Sequence, residues 1–311
     1  MSTESTSADL TRSSRGQATK ERLYQMLLFG CAALTVFVTA GIIVTLSLDA
    51  AAFFEDVSIS SFLTGTEWES SHGQFGVWPL VTGTLTVTAV SAMVAIPIGT
   101  AAAVYLSEYA SERMRAVLKP ALEILAGIPT VVYGYLALVY LTPWLQAIGL
   151  DLTLFNTLSA SIMVGIMIIP MVSSLSEDAM SAVPDDLRQA GYGLGATKFE
   201  VSTGIVIPAA ISGIFASYIL ALSRAIGETM IVVMAMGMQA RMFDPTDPFG
   251  HLFQSGETMT SAMVHAVTSD ATGGTPEFYS MFAIGLTLFA ITFAMNLLSN
   301  RITARYEEEY E

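Results

Sequence analysis

Long apolar runs constrain this chain more than any other feature of its sequence. An α-helix needs about 20 predominantly apolar residues to cross the hydrocarbon core of a bilayer. Leu158–Leu175 is shorter than that but carries no charge. Five further runs reach or approach the required length, and these are Leu23–Leu48, Leu80–Leu106, Ala121–Leu141, the segment that follows Pro208, and Phe282–Ser299. The six runs together predict an all-α integral membrane protein with six transmembrane helices.

The composition agrees with a membrane protein and disfavours other classes. Of the 311 residues, 53% are hydrophobic and 13% are charged, whereas a soluble domain carries about 25% charged residues. The net charge of −14 argues against a nucleic-acid partner, because phosphate backbones require Lys and Arg contacts. The acidic balance fits either a protein adapted to high salt or an ordinary acidic protein. The single cysteine, Cys31, allows no intrachain disulfide.

The basic residues predict the orientation of the six helices. Lys and Arg precede the first span, follow the last, and occur in every second connection, whereas the other connections contain only Arg241. The positive-inside rule therefore places both termini in the cytoplasm and makes the chain a multi-pass protein of the cell membrane. The predicted organisation is a cytoplasmic tail over residues 1–22, a six-helix domain over 23–300, and an acidic cytoplasmic tail over 301–311.

Two connections on the predicted external side are long, Asp49–Pro79 and Gln239–Tyr279. Their acidic residues and tryptophans favour solvated loops with aromatic anchors at the membrane interface. A docking surface for an external binding protein is the alternative. The three histidines fall in these segments without the spacing of a metal site, and we predict them to be surface residues: His72, His251 and His265.

The cytoplasmic connection before the fifth span begins with a helix signal. Pro184 suits the first turn of a helix, and Asp185 and Asp186 complement the helix dipole there. Gly193 and Gly195 mark the end of this helix. An apolar edge recurs at helical spacing and consists of Leu187, Ala190, Gly191 and Leu194. The pattern predicts a short amphipathic helix that either fits a partner's groove or packs against its own protein.

The glycines of this connection do not form a nucleotide-binding loop. Gly191, Gly193 and Gly195 precede Lys198, but their order is not G-x-x-x-x-G-K-[ST] and no strand leads into them. Transport against a gradient would therefore need an ATPase from another chain.

The segment from Gln189 to Pro208 resembles the signature E-A-A-x-x-x-G-(x)9-I-x-L-P of ABC-importer permeases. The matching positions are Gln189-Ala190-Gly191, Gly195 and Ile205-Val206-Ile207-Pro208. In that family the segment forms the coupling helix, which docks into a cleft of the ATPase subunit. The resemblance implies a coupling segment over residues 185–199, no cofactor in this chain, and ATP and magnesium bound by the partner ATPase. Gln189 replaces the signature glutamate and keeps its hydrogen-bonding shape without its charge.

A charged pair lies inside the fifth apolar run. Arg224 follows Ala209 by about 22 Å along a straight helix at 1.5 Å per residue, and Glu228 lies one turn later, close enough to pair. The Arg guanidinium offers a planar fork of donors that suits a tetrahedral oxyanion. Intramembrane charges favour a pathway role, and a structural ion pair between helices is the alternative. Gly227 would let backbone or substrate approach the pair.

Three further stretches resemble the permeases of phosphate-specific (Pst) importers. Residues Ser223–Met230, SRAIGETM, match the segment R-A-x-G-E-T, which includes Thr229. Residues Glu123–Gly134 match E-L-L-A-x-I-P-S-I-V-Y-G, and Ile168-Ile169-Pro170 matches the I-I-P before the coupling loop. Glu123 is either a helix-start charge or a pathway residue. The resemblance spans roughly residues 75–300 and leans toward the PstC type because of the long first external loop and Gly227–Met230.

The resemblance implies a fold, a substrate and a set of partners. The fold is the six-helix, MetI-like permease of type I ABC importers, and the cargo is inorganic phosphate. The partners are a PstA-like second permease, two copies of a PstB-like ATPase and an external PstS-like phosphate-binding protein. The chain itself is not an enzyme. The alternatives are a permease for molybdate or sulfate, the PstA-type sibling, an ion-driven secondary transporter, which would usually show an internal repeat, and an intramembrane enzyme.

Overall fold

The computed structural model describes residues 15–269 and 273–307, and the chain divides after Leu48 into two units. The first unit consists of the N-terminal part of helix α1 (Arg15–Asp56), whose large apolar side chains are exposed, as expected of a helix that faces lipid. The second unit, from Asp49 onward, holds the end of α1 and the remaining elements. These are α2 (Ile59–Thr64), β1 (Trp68–Glu69), β2 (Gln74–Phe75), α3 (Trp78–Val104), α4 (Glu112–Gly127), α5 (Thr130–Leu136), α6 (Thr142–Ala147), α7 (Thr157–Ser181), α8 (Asp185–Gly193), α9 (Lys198–Val201), α10 (Ile207–Ala209), α11 (Ile211–Ile226), α12 (Met230–Ala235), α13 (Pro248–Phe253), α14 (Met259–Thr268) and α15 (Pro276–Glu307).

The described helices include four that are long and apolar enough to cross a membrane unaided. Two more candidates are pairs of helical segments joined at a sharp bend, and counting each pair as one span yields the six that the sequence predicts. The unbroken spans are Lys20–Asp56, Trp78–Tyr109, Thr157–Ser181 and Pro276–Leu297. The bent spans are Glu112–Gly127 with Thr130–Ala147, at 87°, and Lys198–Ala209 with Ile211–Ile226, at 69°.

The first bend divides the run Ala121–Leu141, which the sequence predicts as one transmembrane helix. Helix α4 ends at Gly127, and Ile128 has an extended backbone with ψ 128°. A residue that precedes proline disfavours the helical region, so Pro129 forces the chain out of α4 and begins α5 in a new direction. The single apolar run therefore folds into two segments that meet at a corner.

Helices α3 and α7 pack against each other through small residues. A Cβ atom built on Gly99 would lie 2.7 Å from Cβ of Val172 in α7. The hydroxyl of Ser91 also crosses the interface and donates a 2.8 Å hydrogen bond to the Ser161 carbonyl. In a bilayer, helices associate through close backbone approach and interhelical hydrogen bonds rather than through the hydrophobic effect. This contact fixes the position of α7, which carries much of the site described below.

We expect Gly99→Ala to destabilise the protein, because its new methyl group would overlap Val172. Overpacking of this kind typically costs about 1–3 kcal/mol. The matched control is Gly30→Ala in α1, where a Cβ would meet no atom within 4 Å. The midpoint of thermal unfolding in detergent measures the stability of both variants. A Gly99→Ala midpoint equal to that of Gly30→Ala would contradict the close packing of α3 on α7.

The first long external segment is folded rather than merely solvated. Strands β1 and β2 form an antiparallel hairpin, and Phe75 of β2 is buried in one cluster with Phe53 and Phe62. The ring centroid of Phe53 lies 5.6 Å from that of Phe62 and 5.3 Å from that of Phe75, and both pairs have edge-to-face geometry. The prediction of solvated loops was therefore wrong for this segment, because its phenylalanines form a core of their own.

Candidate functional site

The predicted pair of charges in the fifth span does not form. Helix α11 ends at Ile226, and Gly227, Glu228 and Thr229 separate it from α12. Glu228 is buried, and its Oε1 accepts a 3.1 Å hydrogen bond from the backbone N–H of Ile231 at the start of α12. A carboxylate is favourable at that position because helix N-termini leave backbone donors unsatisfied. The break in the helix thus turns Glu228 into a cap, and it makes no ion pair with Arg224.

Arg224 faces a cavity of about 360 Å³ instead of a charged partner. Its side chain is exposed to this cavity, and within the described part of the chain it has no hydrogen bond or ion pair. Three helices supply the walls, and the lining residues are Leu122, Glu123 and Ala126 from α4, Met167, Pro170, Met171, Ser174 and Leu175 from α7, and Arg224 from α11. A permanent cation without a protein partner inside an apolar span requires water or an anion.

The wall of the cavity contains an acidic and a hydroxyl side chain in addition to Arg224. Glu123 and the Ser174 hydroxyl share its wall, and Glu123 is exposed and has no ion-pair partner among the described residues. The apolar remainder of the wall lowers the local dielectric and so strengthens an electrostatic contact made there. The guanidinium of Arg224 can receive a small oxyanion in this cavity. The sequence feature that indicated this site was the charge of Arg224 inside an apolar run long enough to span a bilayer.

The predicted cytoplasmic helix forms between the fourth and fifth candidate spans. Helix α8 begins at Asp185, directly after Pro184, and ends at Gly193, as the sequence predicted. Gly195 adopts φ +85°, a left-handed conformation that favours glycine. The turn displays Leu194, whose side chain is 91% exposed, beside the exposed Phe199. An apolar tip of this kind on a charged, short helix is typical of a surface that a partner covers.

The residues of the predicted coupling segment divide between an outer and an inner face. Gly191 is buried, and a Cβ there would lie 2.7 Å from Cδ1 of Ile205. The predicted apolar edge is therefore split, because Gly191 packs inward while Leu187 and Leu194 face outward. Pro208 is half-buried in the short α10. The exposed members of the predicted segment are Asp185, Leu187, Gln189, Ala190 and Gly195.

Arg188 is a structural residue that sequence reasoning missed. The sequence shows it only as one of the basic residues from which the orientation is predicted. Its side chain is 14% exposed and forms an ion pair at 3.1 Å with Glu108, which is 4% exposed. It also donates to the carbonyls of Met180 and Val183 at the end of α7, at 2.8 and 2.5 Å. Glu108 lies 80 residues away in the π-helical turn after α3, so no local pattern linked the two.

A second buried carboxylate lies near the same end of α7. Glu177 is 2% exposed, and Lys119 Nζ lies 2.5 Å from its Oε2. Arg115 Nε lies 4.0 Å from its Oε1. Both cations come from α4, so this cluster joins α4 to α7. The sequence shows two adjacent acids, Glu177 and Asp178, at the end of an apolar run, and the partners of Glu177 could not be identified without the fold.

The external histidines have different surroundings from those predicted. His72 is exposed as expected, but His251 is buried and contacts the ring of Phe243. His265 is half-exposed, and its Nδ1 lies 3.2 Å from Oε1 of the buried Glu257. The hydrogen bond to Glu257 raises the pKa of His265 above its ordinary value. The prediction of three surface histidines was therefore wrong for His251 and incomplete for His265.

A raised histidine pKa makes the stability of this external region depend on pH. The stabilisation is fully present below the ordinary pKa of 6.5 and is lost as the pH rises through the raised value. Because His265 is half-exposed, we expect an effect below about 1 kcal/mol. The free energies of unfolding of the parent and of His265→Gln, measured across this pH range, should differ at acidic pH and become equal at alkaline pH. A constant difference across the range would contradict the pairing with Glu257.

The fold and the cavity define a class: a multi-span membrane protein with a cavity that contains Arg224 and with an exposed short helix, α8, between two of its candidate spans. The model of the family described as "Binding-protein-dependent transport system inner membrane component" matches residues 95–308. The chain is 32% identical over 285 residues to the probable ABC transporter permease protein YqgH of Bacillus subtilis, covering 90% of each chain. It is 31% identical over 268 residues to the phosphate transport system permease protein PstC of Mesorhizobium japonicum, covering 79% of each.

A solved structure shares the fold at low sequence identity. The match is a chain from the crystal structure of a bacterial ABC transporter involved in the import of the acidic polysaccharide alginate. It covers 93% of this chain and 99% of the other, at 15% identity and a TM-score of 0.65. With the family match, this establishes that the chain belongs to the inner membrane components of binding-protein-dependent transport systems. It is a multi-pass ABC-importer permease subunit with the MetI-like fold and not an enzyme.

Proposed function

We propose that this chain is a PstC-type permease that carries inorganic phosphate into the cell. The observation that supports this most is the guanidinium of Arg224, which has no partner among the described residues and lies in a cavity walled by α4, α7 and α11. A planar fork of donors binds a tetrahedral oxyanion through two parallel hydrogen bonds. The likeness to the Mesorhizobium japonicum phosphate permease favours phosphate among the oxyanions.

The proposed pathway includes the break in the fifth span. Arg224 would contact the anion, and Glu123 would face it from α4. The break Gly227–Thr229 would act as the gate, because a helix that is already interrupted can change direction without losing hydrogen bonds. Glu228 would hold one side of this gate by capping α12.

The proposed partners follow from the exposed coupling segment and from the likeness to phosphate transport permeases. A PstB-like ATPase would dock on the coupling segment, residues 185–199, through the exposed tip at Leu194. A PstA-like permease would complete the pathway, and a PstS-like binding protein would deliver phosphate to the external side. In this assembly residues 1–22 and 301–311 would lie in the cytoplasm, on either side of a six-helix permease domain over 23–300. ATP and magnesium would bind to the ATPase partner.

Uptake of labelled oxyanions tests the substrate. Deletion of the chain in phosphate-starved cells should abolish high-affinity phosphate uptake and leave sulfate and molybdate uptake unchanged. Restoring the parent gene should restore phosphate uptake. Intact phosphate uptake together with lost sulfate or molybdate uptake would assign the permease to another oxyanion, which the Arg224 fork would also suit.

A further inference from the structure

We propose that the ion pair of Arg188 and Glu108 is the joint through which movement of the docking helix α8 reaches α3 and α7. The inference rests on the proposed function, because it takes α8 as the element that the ATPase moves. Arg188 is thereby a positioning residue, since it lies away from the cavity and contacts other parts of the chain rather than cargo.

The contacts of Arg188 join three elements at one side chain. Its Nη1 donates to the Val183 carbonyl at 2.5 Å, and its Nη2 donates to the Met180 carbonyl at 2.8 Å. The same Nη2 lies 3.1 Å from Oε1 of Glu108. Arg188 belongs to α8, Met180 to α7, and Glu108 to the π-helical turn that continues α3. The joint therefore includes the end of each helix that α8 must move.

The burial of the pair makes it a strong link rather than a surface contact. The two side chains are 14% and 4% exposed, so neither charge can be satisfied by water if the other is removed. The contact between Arg188 and Asp185 differs, because Asp185 is 84% exposed and solvent screens it. Only a guanidinium presents several donors in a fixed plane, whereas a lysine ammonium is a compact point charge. Lysine at position 188 would keep the charge and lose the bridge.

Helix α7 connects the joint to the cavity. It runs without a break from Thr157 to Ser181 and lines the Arg224 cavity with residues between Met167 and Leu175. The carbonyl that Arg188 holds, at Met180, lies in the last turn of the same helix. A displacement of α8 would thus reach the cavity wall along one continuous helix. Glu108 follows α3, and α3 packs closely on α7 at Gly99. A displacement that reaches Glu108 would therefore also move α7.

A cysteine reporter in the cavity tests the joint without depending on the identity of the cargo. The chain would carry Cys31→Ser, which removes its single cysteine, and Ala126→Cys, which places one thiol in the cavity wall. In the assembled complex with its ATPase and second permease, we expect ATP to change the rate of thiol labelling. Arg188→Lys should abolish this change while the ATPase still co-purifies and still hydrolyses ATP. Arg113→Lys, an exposed arginine of α4, is the matched control and should behave like the parent.

A double-mutant cycle shows whether Arg188 and Glu108 act together or whether each residue stabilises the structure independently. The cycle consists of Arg188→Met, Glu108→Gln and the variant that carries both. Each single substitution should abolish the ATP-dependent labelling, and the double variant should assemble at least as well as either single variant. An unchanged ATP-dependent labelling in Arg188→Lys would overturn the proposal, and so would additive losses of assembly in the cycle. Failure of the ATPase to co-purify with the parent reporter would instead refute the docking role of α8 itself.

Discussion

Replacing Arg224 with glutamine should abolish phosphate uptake while the complex stays assembled. The side chain forms no hydrogen bond or ion pair with the described residues, so its replacement costs the fold none of these bonds there. The anion in transit would lose its charged partner, and truncating one partner of a desolvated charge pair costs about 2–5 kcal/mol. We therefore expect initial uptake rates to fall by about 100-fold or more, measured with labelled phosphate in cells that express equal amounts of each variant.

Two comparisons make this prediction specific to the site. Arg113→Gln removes an exposed arginine of α4 that does not line the cavity, and it should leave uptake unchanged. Arg224→Lys should retain part of the activity, because it keeps the charge without the planar fork. Normal uptake by Arg224→Gln would exclude a pathway role for Arg224. A fall in uptake that matches a fall in assembled complex would assign it a structural role instead.

Replacing Leu194 with aspartate should separate the permease from its ATPase. The leucine side chain is 91% exposed at the tip of the docking segment, and in the assembly it would enter a cleft of the partner. An unpaired carboxylate in such a contact removes the apolar burial and adds a desolvation cost, and interface anchors of this kind contribute about 2 kcal/mol or more. Co-purified ATPase per permease should fall by roughly 30-fold, and phosphate uptake should fall with it.

The control for Leu194 is a second exposed leucine outside the docking segment. Leu154 is 57% exposed in the connection before α7. Leu154→Asp adds the same charge, and the ATPase should co-purify with it as with the parent. Equal retention of ATPase by Leu194→Asp and the parent would show that the partner docks elsewhere.

The sequence predicted the number and kind of spans because each span is one long apolar run of consecutive residues. The helix at Asp185 was also predictable, since Pro184, the two following acids and the terminal glycines are neighbours in the chain. The same local reasoning failed at Ala121–Leu141, where hydropathy is continuous but Pro129 imposes a bend of 87°. Hydropathy measures which residues avoid water, and it carries no information on the direction of the backbone.

The candidate site was predictable in its residues and not in its contacts. Arg224 was identified by its charge within an apolar run, and Glu123 by a motif, yet only the fold places them in one cavity. Helical spacing suggested that Arg224 and Glu228 pair, but Gly227 ends α11 between them. Arg188 with Glu108, and Glu177 with Lys119, join residues far apart in the chain. Contacts of this kind depend on how the helices pack, which single-sequence patterns do not specify.

Reconstitution into liposomes tests the central claim, that this chain is a conduit whose energy comes from an ATPase docked on α8. The chain and its partner permease are incorporated with the external binding protein, with and without the ATPase, and labelled phosphate is measured inside. We predict accumulation against a gradient only when both the ATPase and ATP are present, and none with the ATPase and Leu194→Asp. Accumulation driven by a sodium or proton gradient without the ATPase would contradict the account and identify an ion-driven transporter.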